Sequence, residues 1–201
     1  MNEQSKQPAP EAREAEPRDS PRIYVASLSD YNAGILHGNW IDADAEVETM
    51  QQQIHAMLAA SPTMARYGDL AEEWAIHDYD GFGDIRIGEY QSLSTVAAWA
   101  SGLEKHGRAF GAWVAHVGEK SDESIEQFED RYQGQWESVT AYAEHMLDEL
   151  DAERVVADAP QWLQPYLKLD VEGFARDLEL GGDIVTAETP DGGVWVWSGY
   201  C

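Results

Sequence analysis

EKSDESIEQFEDRYQGQWESVTAYAEHMLDELDAER, residues 119–154, is the stretch around which the rest of the chain is organised. Acidic residues recur along it, and its basic residues are Lys120, Arg131 and Arg154. Apolar residues at helical spacing predict two helices here. Two acidic rows have the spacing of three and four residues that places side chains on one helix face. The rows are Asp122, Glu126 and Glu129, and Glu144, Asp148 and Asp151.

The spacing of these rows is of the same order as the spacing of phosphates in DNA. At a rise of about 1.5 Å per residue, the rows place one carboxylate every ~4.5–6 Å of helix. A DNA strand carries one charge per ~3.4 Å. Like charges this close oppose helix formation, so another reason must favour them. Two interpretations stay open: a solvated surface that favours solubility in a salty cytoplasm, and an imitation of the phosphate backbone.

The composition favours a basic protein as the partner. The 201 residues include 38 Asp and Glu against 13 Lys and Arg, which gives a net charge of −25. Nucleic acids and anionic membranes are poor partners for such a chain, because binding them requires basic residues. We therefore expect neither as a partner. With 43% hydrophobic residues, eight Trp and nine Tyr, the chain has enough apolar surface to form a core.

The cysteine count and the lack of long apolar runs predict a soluble, cytoplasmic protein. Cys201 is the only cysteine, so an intrachain disulfide is excluded. We find no apolar segment of signal-peptide length at the N-terminus and no apolar run long enough to span a bilayer. Residues 1–21 contain four prolines among mixed charges, which predicts a disordered leader.

We expect an α+β fold of three small domains, the first at residues 22–91. Apolar and β-branched runs predict strands at residues 23–25, 40–41 and 74–79. A helix follows the second strand, with its apolar stripe at Val47, Met50, Ile54, Met57 and Leu58. Asp42 or Asp44 is the expected N-cap of this helix, and Ser61-Pro62 is expected to end it.

Residues 92–132 predict a central helical bundle. Three amphipathic segments follow one another, and Gly107 and Gly118 are the expected ends of the first two. Ser121 is the expected cap of the third helix, which is expected to run to Tyr132. Each helix is too short to be stable alone, so we expect the three to pack together.

Residues 133–201 predict a C-terminal α+β domain. A helix from Ser138 to Leu150 is expected to bury its apolar stripe, Leu150 included. A short helix is expected to begin at 158–160, and Asp170 is the expected cap of a last helix that ends at Gly181-Gly182.

A β-hairpin is expected to close this domain. Apolar runs at 184–186 and 194–197 flank Pro190-Asp-Gly-Gly193, a turn sequence typical of hairpins. Trp195 and Trp197 share one face of the last strand, which predicts either a core position or an apolar dimer contact.

One segment, residues 78–89, has the outline of a calcium-binding loop. Acids stand at its first, third and twelfth positions and a glycine at its sixth. Phe82 stands where an oxygen ligand is required, and strand-like residues precede the loop where the motif requires a helix. A polar β-turn is the simpler interpretation. An acidic, calcium-responsive interaction protein is the alternative function.

No other pattern of catalysis or metal binding accompanies this loop. No two of the six histidines have the spacing of a zinc-binding pair. A nucleophile elbow and a glycine-rich phosphate loop are both absent from the sequence. Carboxylate pairs are too abundant for one to be singled out. We therefore predict no catalytic residue, no metal site and no cofactor.

Six motifs, in order over about residues 22–197, carry a resemblance to a known family. They are Ile23-Tyr-Val-Ala-Ser-Leu-Ser-Asp-Tyr-Asn32, Gly38-Asn-Trp-Ile41, Glu73-Trp-Ala-Ile-His-Asp-Tyr79, Tyr142-Ala-x-x-Met146-Leu, Tyr166 and Ala175-Arg-Asp-Leu178-x-x-Gly181-Gly-Asp. Together they resemble the ArdA-type antirestriction family, which mobile genetic elements carry. The resemblance implies an elongated, acidic, three-domain protein that dimerises through its C-terminal domain and imitates bent B-form DNA.

Members of this family occupy the DNA-binding groove of type I restriction–modification enzymes. They inhibit restriction, and often modification, without chemistry, and so evade host defence. The resemblance therefore implies a homodimer, a type I enzyme as partner, and no enzyme activity.

The predicted partner-binding residues are carboxylates that imitate phosphates. They are Asp42, Asp44, Glu46, Glu48, Asp122, Glu123, Glu126, Glu129, Asp130, Glu137, Glu144, Asp148, Asp151 and Glu153. The family's antirestriction stretch corresponds to residues 156–170. Its candidate residues for the partner or the dimer contact are Asp158, Pro160, Trp162, Tyr166 and Asp170. We expect that neutralising one carboxylate changes binding little and that removing the 122–130 cluster weakens it substantially.

Overall fold

The computed structural model describes residues 20–68, 71–117 and 125–199. Within these residues the chain is α+β, with helices and two three-stranded antiparallel sheets, which confirms the predicted fold class. The predicted leader lies outside the described residues except for Ser20 and Pro21. Pro21 is buried, and its carbonyl accepts a hydrogen bond of 2.8 Å from the amide of Ala43.

The chain forms two compact units. Of the described residues, unit 1 comprises 20–68, 71–82 and 89–100, and unit 2 comprises 83–88, 101–117 and 125–199. The boundaries of the three predicted domains stay a prediction. None of the described helices combines the length and the apolar character needed to span a membrane.

Unit 1 is a three-stranded sheet with helices packed beside it. Its elements are β1 (Arg22–Ser27), α1 (Leu28–Asn32), β2 (Gly38–Asp42), α2 (Val47–Ala59), α3 (Pro62–Tyr67) and β3 (Trp74–Asp80). β1 is the central strand and pairs antiparallel with β2 and β3, so all three predicted strands are confirmed. Buried Ile23 and Val25 alternate with half-buried Arg22 and Tyr24, which gives the sheet a core face and an open face.

Helix α2 packs against β1 and β2, and its buried residues are Met50, Ile54, Met57 and Leu58. The predicted N-cap is wrong. Glu46 caps α2 and its side chain makes no capping hydrogen bond, whereas Asp42 is the last residue of β2 and Asp44 lies in the turn that follows. Asp42 still pairs with Arg22 in the sheet and Ala43 is buried, so both aspartates lie too far before Val47, the first residue of α2, to cap the helix.

The end of α2 is as predicted, at Ser61-Pro62, but the chain turns directly into α3. The hydroxyl of Ser61 accepts a hydrogen bond of 3.2 Å from the amide of Met64. Pro62 takes the first helical position, where its missing N–H costs nothing. The same two residues therefore stop one helix and start the next.

A buried carboxylate, Asp30, ties α1 to α3. Its Oδ1 accepts hydrogen bonds from the amide of Thr63, at 2.8 Å, and from the hydroxyl of Thr63. Burial by itself raises the pKa of Asp30, but hydrogen bonds from Ser27, Thr63 and Ser61 outweigh it and hold the pKa well below its ordinary range. Asp30 is therefore an ionised structural anchor inside unit 1.

Unit 2 contains a second three-stranded sheet with helices around it. The elements are α4 (Leu93–Val117, from Ser101 onward), α5 (Ile125–Arg131), β4 (Tyr132–Trp136), α6 (Val139–Glu149), α7 (Ala152–Ala157), α8 (Val171–Gly181), β5 (Ile184–Glu188) and β6 (Val194–Ser198). β6 is the central strand and pairs antiparallel with β4 and β5, which confirms the terminal hairpin.

Several predicted helix ends of unit 2 are confirmed. The helical backbone of α4 breaks at Gly107, where φ is +59° and ψ is −144°. The side chain of Ser138 caps α6, and that of Asp170 caps α8. Gly182 ends α8 in the left-handed conformation, with φ at +77°. The predicted stop at Gly118 and cap at Ser121 lie outside the described residues.

The prediction of a helix through Tyr132 is wrong, because Tyr132 begins β4 and pairs with Trp197. Gly134, with φ at +105°, lies where the register of this pairing shifts. Half-buried Tyr132, Gly134 and Trp136 alternate with exposed glutamines, but the alternation covers only five residues and a glycine at its centre weakens it, so the strand depends on its partner β6.

Two predictions for the following helices are also wrong. Leu150 lies at the end of α6 with 67% of its surface exposed, so the apolar stripe stops before it. No α-helix begins at 158–160; α7 ends at Ala157, and a single 3₁₀ turn, Gln164–Tyr166, follows.

The core of unit 2 is aromatic around Phe128. Its ring centroid lies 5.5 Å from that of Phe110 and 5.0 Å from that of Tyr132, and the rings of Trp113 and Trp197 are 5.7 Å apart. The second half of α4 thus shares a core with β6. Trp195 and Trp197 are both buried, which favours the core interpretation over a dimer contact.

Candidate functional site

The described acidic residues lie almost entirely on the surface. Every aspartate and glutamate in residues 20–68, 71–117 and 125–199 is exposed except Asp30. The predicted mimics Asp122 and Glu123 lie outside the described residues. The other predicted mimics, all exposed, are Asp42, Asp44, Glu46, Glu48, Glu126, Glu129, Asp130, Glu137, Glu144, Asp148, Asp151 and Glu153.

In unit 1, four of these carboxylates follow one another on the segment of residues 42–48, here called the β2–α2 segment. Asp42 closes β2, Asp44 lies in the turn, and Glu46 and Glu48 lie at the start of α2. Among the described ion pairs, none involves these four side chains. Negative charge is favourable at a helix N-terminus, so the fold tolerates the two glutamates well. The segment therefore presents unpaired carboxylates to solvent, although Arg22 stands opposite Asp42 in the strand pairing.

In unit 2, the acidic row on α5 is partly neutralised. Glu126, Glu129 and Asp130 are exposed, but Glu129 accepts a hydrogen bond from Lys105 and lies 2.9 Å from Nε2 of His106. The hydrogen bond from Lys105, followed by that from His106, lowers the pKa of Glu129. Glu129 therefore contributes less negative charge to the surface than its sequence position indicates.

The second predicted row is interrupted. Glu144 and Asp148 lie four residues apart on α6, as predicted. Asp151 lies beyond the end of α6 in the left-handed conformation, with φ at +52°, so it does not continue their face. Arg154 lies 3.6 Å from a carboxylate oxygen of Asp151 and 3.7 Å from one of Asp158.

The predicted antirestriction stretch exposes apolar side chains. Trp162 and Tyr166 are 73% and 80% exposed, and Val155, Leu167 and Leu169 are exposed beside them in sequence. Adjacent to the stretch is a groove of about 690 Å³. It is lined by Glu144, Leu147, Asp148, Glu153, Val156, Ala157, Gln164, Lys168, Leu169 and Val171.

Hydrogen bonds hold this irregular stretch in place. The side-chain amide of Gln164 donates to the carbonyls of Ala157 and Ala159, at 2.7 and 2.9 Å. Asp170 is also structural, because its carboxylate accepts a hydrogen bond of 2.9 Å from the amide of Gly173. Asp158 and Pro160 are exposed in the segment between the end of α7 and the 3₁₀ turn. Exposed aromatic side chains on a fixed backbone are typical of protein interfaces.

Residues 78–89, which have the outline of a calcium-binding loop, do not gather ligands. Asp80 forms an ion pair of 3.0 Å with Arg22, and Phe82 is buried. Asp78 accepts a hydrogen bond from the amide of Tyr79. No group of three or more His, Cys, Asp or Glu side chains that could hold a metal occurs in the part of the chain that the structure describes. No observation supports the calcium-responsive alternative.

Two features of unit 1 are missing from the predicted site. One is Asp30, for which Ser27-Leu-Ser-Asp30 gave a signal, since Ser-x-x-Asp is a capping pattern. The other is the open face of the sheet, where Trp40 is exposed and Arg22 lies over its ring. The alternation of buried and polar residues in β1 indicates that face.

Comparison with known families places most of the chain within one family model. The sequence model of a family described as antirestriction protein (ArdA) matches residues 23–191 of this chain. No curated protein matches the chain.

Proposed function

Because the chain belongs to the ArdA antirestriction protein family, we propose that it inhibits a type I restriction–modification enzyme by occupying the groove in which that enzyme binds DNA. Proteins of this family are inhibitors rather than enzymes. In this proposal the chain acts by binding alone, inside the cytoplasm, where restriction enzymes meet entering DNA.

The exposure of the acidic residues is the observation that carries the proposal. A chain of net charge −25 keeps every described carboxylate but one on its surface. A groove that binds DNA is lined with basic residues, which an array of carboxylates neutralises as phosphates do. Since restriction and modification both require DNA in the groove, we expect the chain to inhibit both.

A competition assay tests this proposal. Purified chain at a fixed concentration is added to a type I enzyme, and DNA cleavage and methylation are measured as the DNA concentration rises. Excess DNA is expected to relieve the inhibition, and the affinity of the chain for the enzyme is expected to fall as salt rises. Inhibition that excess DNA leaves unchanged, or an affinity that is flat with salt, would contradict the proposal.

We also propose that the antirestriction stretch contributes to a homodimer. Its exposed Trp162 and Tyr166 are side chains of the kind that dominate interface energies. The molar mass in solution, measured by light scattering, is expected to be that of a dimer and to fall to that of a monomer in Trp162→Ser. Leu36→Ser, which removes an exposed apolar side chain from unit 1, is the control and is expected to leave the dimer intact. A parent chain that is monomeric at micromolar concentration would disprove this part.

A further inference from the structure

The open face of the unit 1 sheet combines aromatic and acidic side chains. The strand register places Arg22 of the central strand between Asp42 and Asp80. In the same way it places Tyr24 between Trp40 and Asp78. These positions alternate with the buried residues of the sheet, so their side chains share the face opposite α2.

Trp40 lies on the edge strand β2 and is the aromatic side chain that this face exposes. Its ring lies 5.5 Å from the ring of Tyr24, and 42% of the residue stays exposed. Gly38 makes this packing possible, because a Cβ at Gly38 would lie 2.9 Å from the end of the Tyr24 side chain. Trp40 is therefore packed against the half-buried ring of Tyr24 and presented to solvent.

The face already holds one guanidinium group. The Cζ atom of Arg22 lies 4.6 Å from the centroid of the Trp40 ring, a cation–π distance. The same guanidinium donates to Oδ2 of Asp80, at 3.0 Å from Nη2 and 3.3 Å from Nε. The face thus binds a planar cation, the guanidinium of Arg22, between the indole ring of Trp40 and the carboxylate of Asp80.

Arg22 does not neutralise the face completely. Its ion pair engages Asp80, whereas Asp42 and Asp78 take part in none of the described ion pairs. Two carboxylates thus flank the exposed indole of Trp40 and the half-buried ring of Tyr24. The charge complementarity favours a partner that offers more cations, and among cationic side chains arginine stacks best on aromatic rings.

We propose that this face binds arginine side chains of the enzyme's DNA-binding groove, with a guanidinium packed on Trp40 and paired with Asp42 or Asp78. The inference rests on the proposed function and adds an aromatic anchor to it, which a row of phosphates does not have. Such an anchor concentrates binding energy at one position, as buried Trp residues do in other interfaces.

Substitution of the ring tests the inference. Trp40→Leu keeps an apolar side chain without a π face, and it is expected to weaken binding to a purified type I enzyme about three- to thirtyfold. Trp40→Phe is expected to recover most of that loss. Because no charge is removed, the slope of affinity against salt is expected to stay unchanged, whereas Asp42→Asn is expected to make it shallower.

Tyr67→Leu is the matched control. Tyr67 is also an exposed aromatic residue of unit 1, and Arg66 lies over its ring at 5.3 Å, but it lies on α3 and not on the sheet. Its replacement is expected to leave binding unchanged. Equal affinity of Trp40→Leu and the parent would overturn the inference and leave the proposed function standing, as would equal weakening by Leu and Phe.

A second variant does not alter the ring. Arg22→Gln removes the guanidinium that occupies Trp40 and Asp80, so it is expected to tighten binding about threefold. Binding that stays the same or weakens would overturn the inference even if Trp40→Leu failed to fold. If the parent chain does not bind the enzyme at all, the proposed function is wrong, and the inference fails with it.

Discussion

The β2–α2 segment of unit 1 and the acidic helices of unit 2 carry similar side chains in different surroundings. In residues 42–48 the four carboxylates have no cationic neighbour among the described ion pairs. In unit 2, Glu129 is paired with Lys105 and His106, and Glu149 lies 3.5 Å from His145. Arg154 forms ion pairs with both Asp151 and Asp158.

This difference shows that a count of carboxylates is a poor measure of the charge that a surface presents. Residues 119–154 have the highest density of acids, but they also include bases at helical spacing, such as Arg154. Exposed pairs of this kind stabilise a fold by only about 0–1 kcal/mol. Their larger effect is to reduce the negative charge that a basic partner meets. The shorter segment in unit 1 is therefore expected to contribute more to binding per carboxylate.

The largest effect is expected when the carboxylates of the β2–α2 segment and those of the unit 2 helices are neutralised in separate variants. Replacing Asp42 and Asp44 by Asn and Glu46 and Glu48 by Gln removes four unpaired charges. We expect a loss of about 3 kcal/mol of binding free energy, on the order of a hundredfold in Kd for a type I enzyme. Titration calorimetry or a filter-binding competition with DNA measures it.

The comparison variant replaces two carboxylates of unit 2 that are paired with Lys or Arg, Glu129 and Asp151, by their amides. We expect less than a tenfold change in Kd, because local cations already offset these charges. If the unit 2 variant loses as much affinity as the unit 1 variant, pairing in the free protein does not govern the contribution of a carboxylate, and the comparison is wrong.

The next prediction concerns Asp30, the buried carboxylate of unit 1. Asp30→Asn keeps one acceptor oxygen for Thr63 but removes the charge, so we expect the free energy of unfolding to fall by about 1–2 kcal/mol at pH 7. Urea denaturation measures it. Asp44→Asn, in an exposed turn, is the control and is expected to change stability by less than about 0.5 kcal/mol.

The pH dependence of this effect has a defined sign. The pKa of Asp30 is lower in the folded chain than its unfolded value of about 3.9, so its contribution is present above that value and is lost as the pH falls below it. We therefore expect the stability difference between the parent and Asp30→Asn to shrink from pH 5 toward pH 2. A difference that grows on acidification would show that Asp30 is protonated in the native state.

Most elements of the fold follow from local pattern in the sequence. The strands of unit 1, α6 with its Ser138 cap and the terminal hairpin all have strong periodicity or turn residues beside them. The strand β4 has only a five-residue alternation with a glycine at its centre, so it forms a strand mainly through its pairing with β6. Pairing between distant residues cannot be predicted from the periodicity of a short segment. The left-handed turn at Asp151 is also missed, because such a turn is usually marked by a glycine and here the residue is an aspartate.

The candidate site is predictable in kind but not in detail. Exposure of the acids follows from composition alone, since carboxylates are rarely buried without a partner. Which of them lose their charge to a neighbour depends on contacts between distant residues, such as Lys105 with Glu129. The contact of Arg22 with Trp40 likewise depends on the register of β1 against β2, which residue spacing does not reveal.

The smallest expected effect concerns Glu129 and its ion pair with Lys105. Glu129→Gln is expected to change binding less than twofold, whereas Lys105→Met, which frees Glu129, is expected to tighten binding about twofold. By NMR titration, the pKa of Glu129 is expected below the ordinary value of about 4.3 in the parent and closer to it in Lys105→Met. If Glu129→Gln instead costs as much as neutralising one carboxylate of the β2–α2 segment, the ion pair with Lys105 must open when the partner binds. The charge presented to the partner would then be set by the complex and not by the free chain.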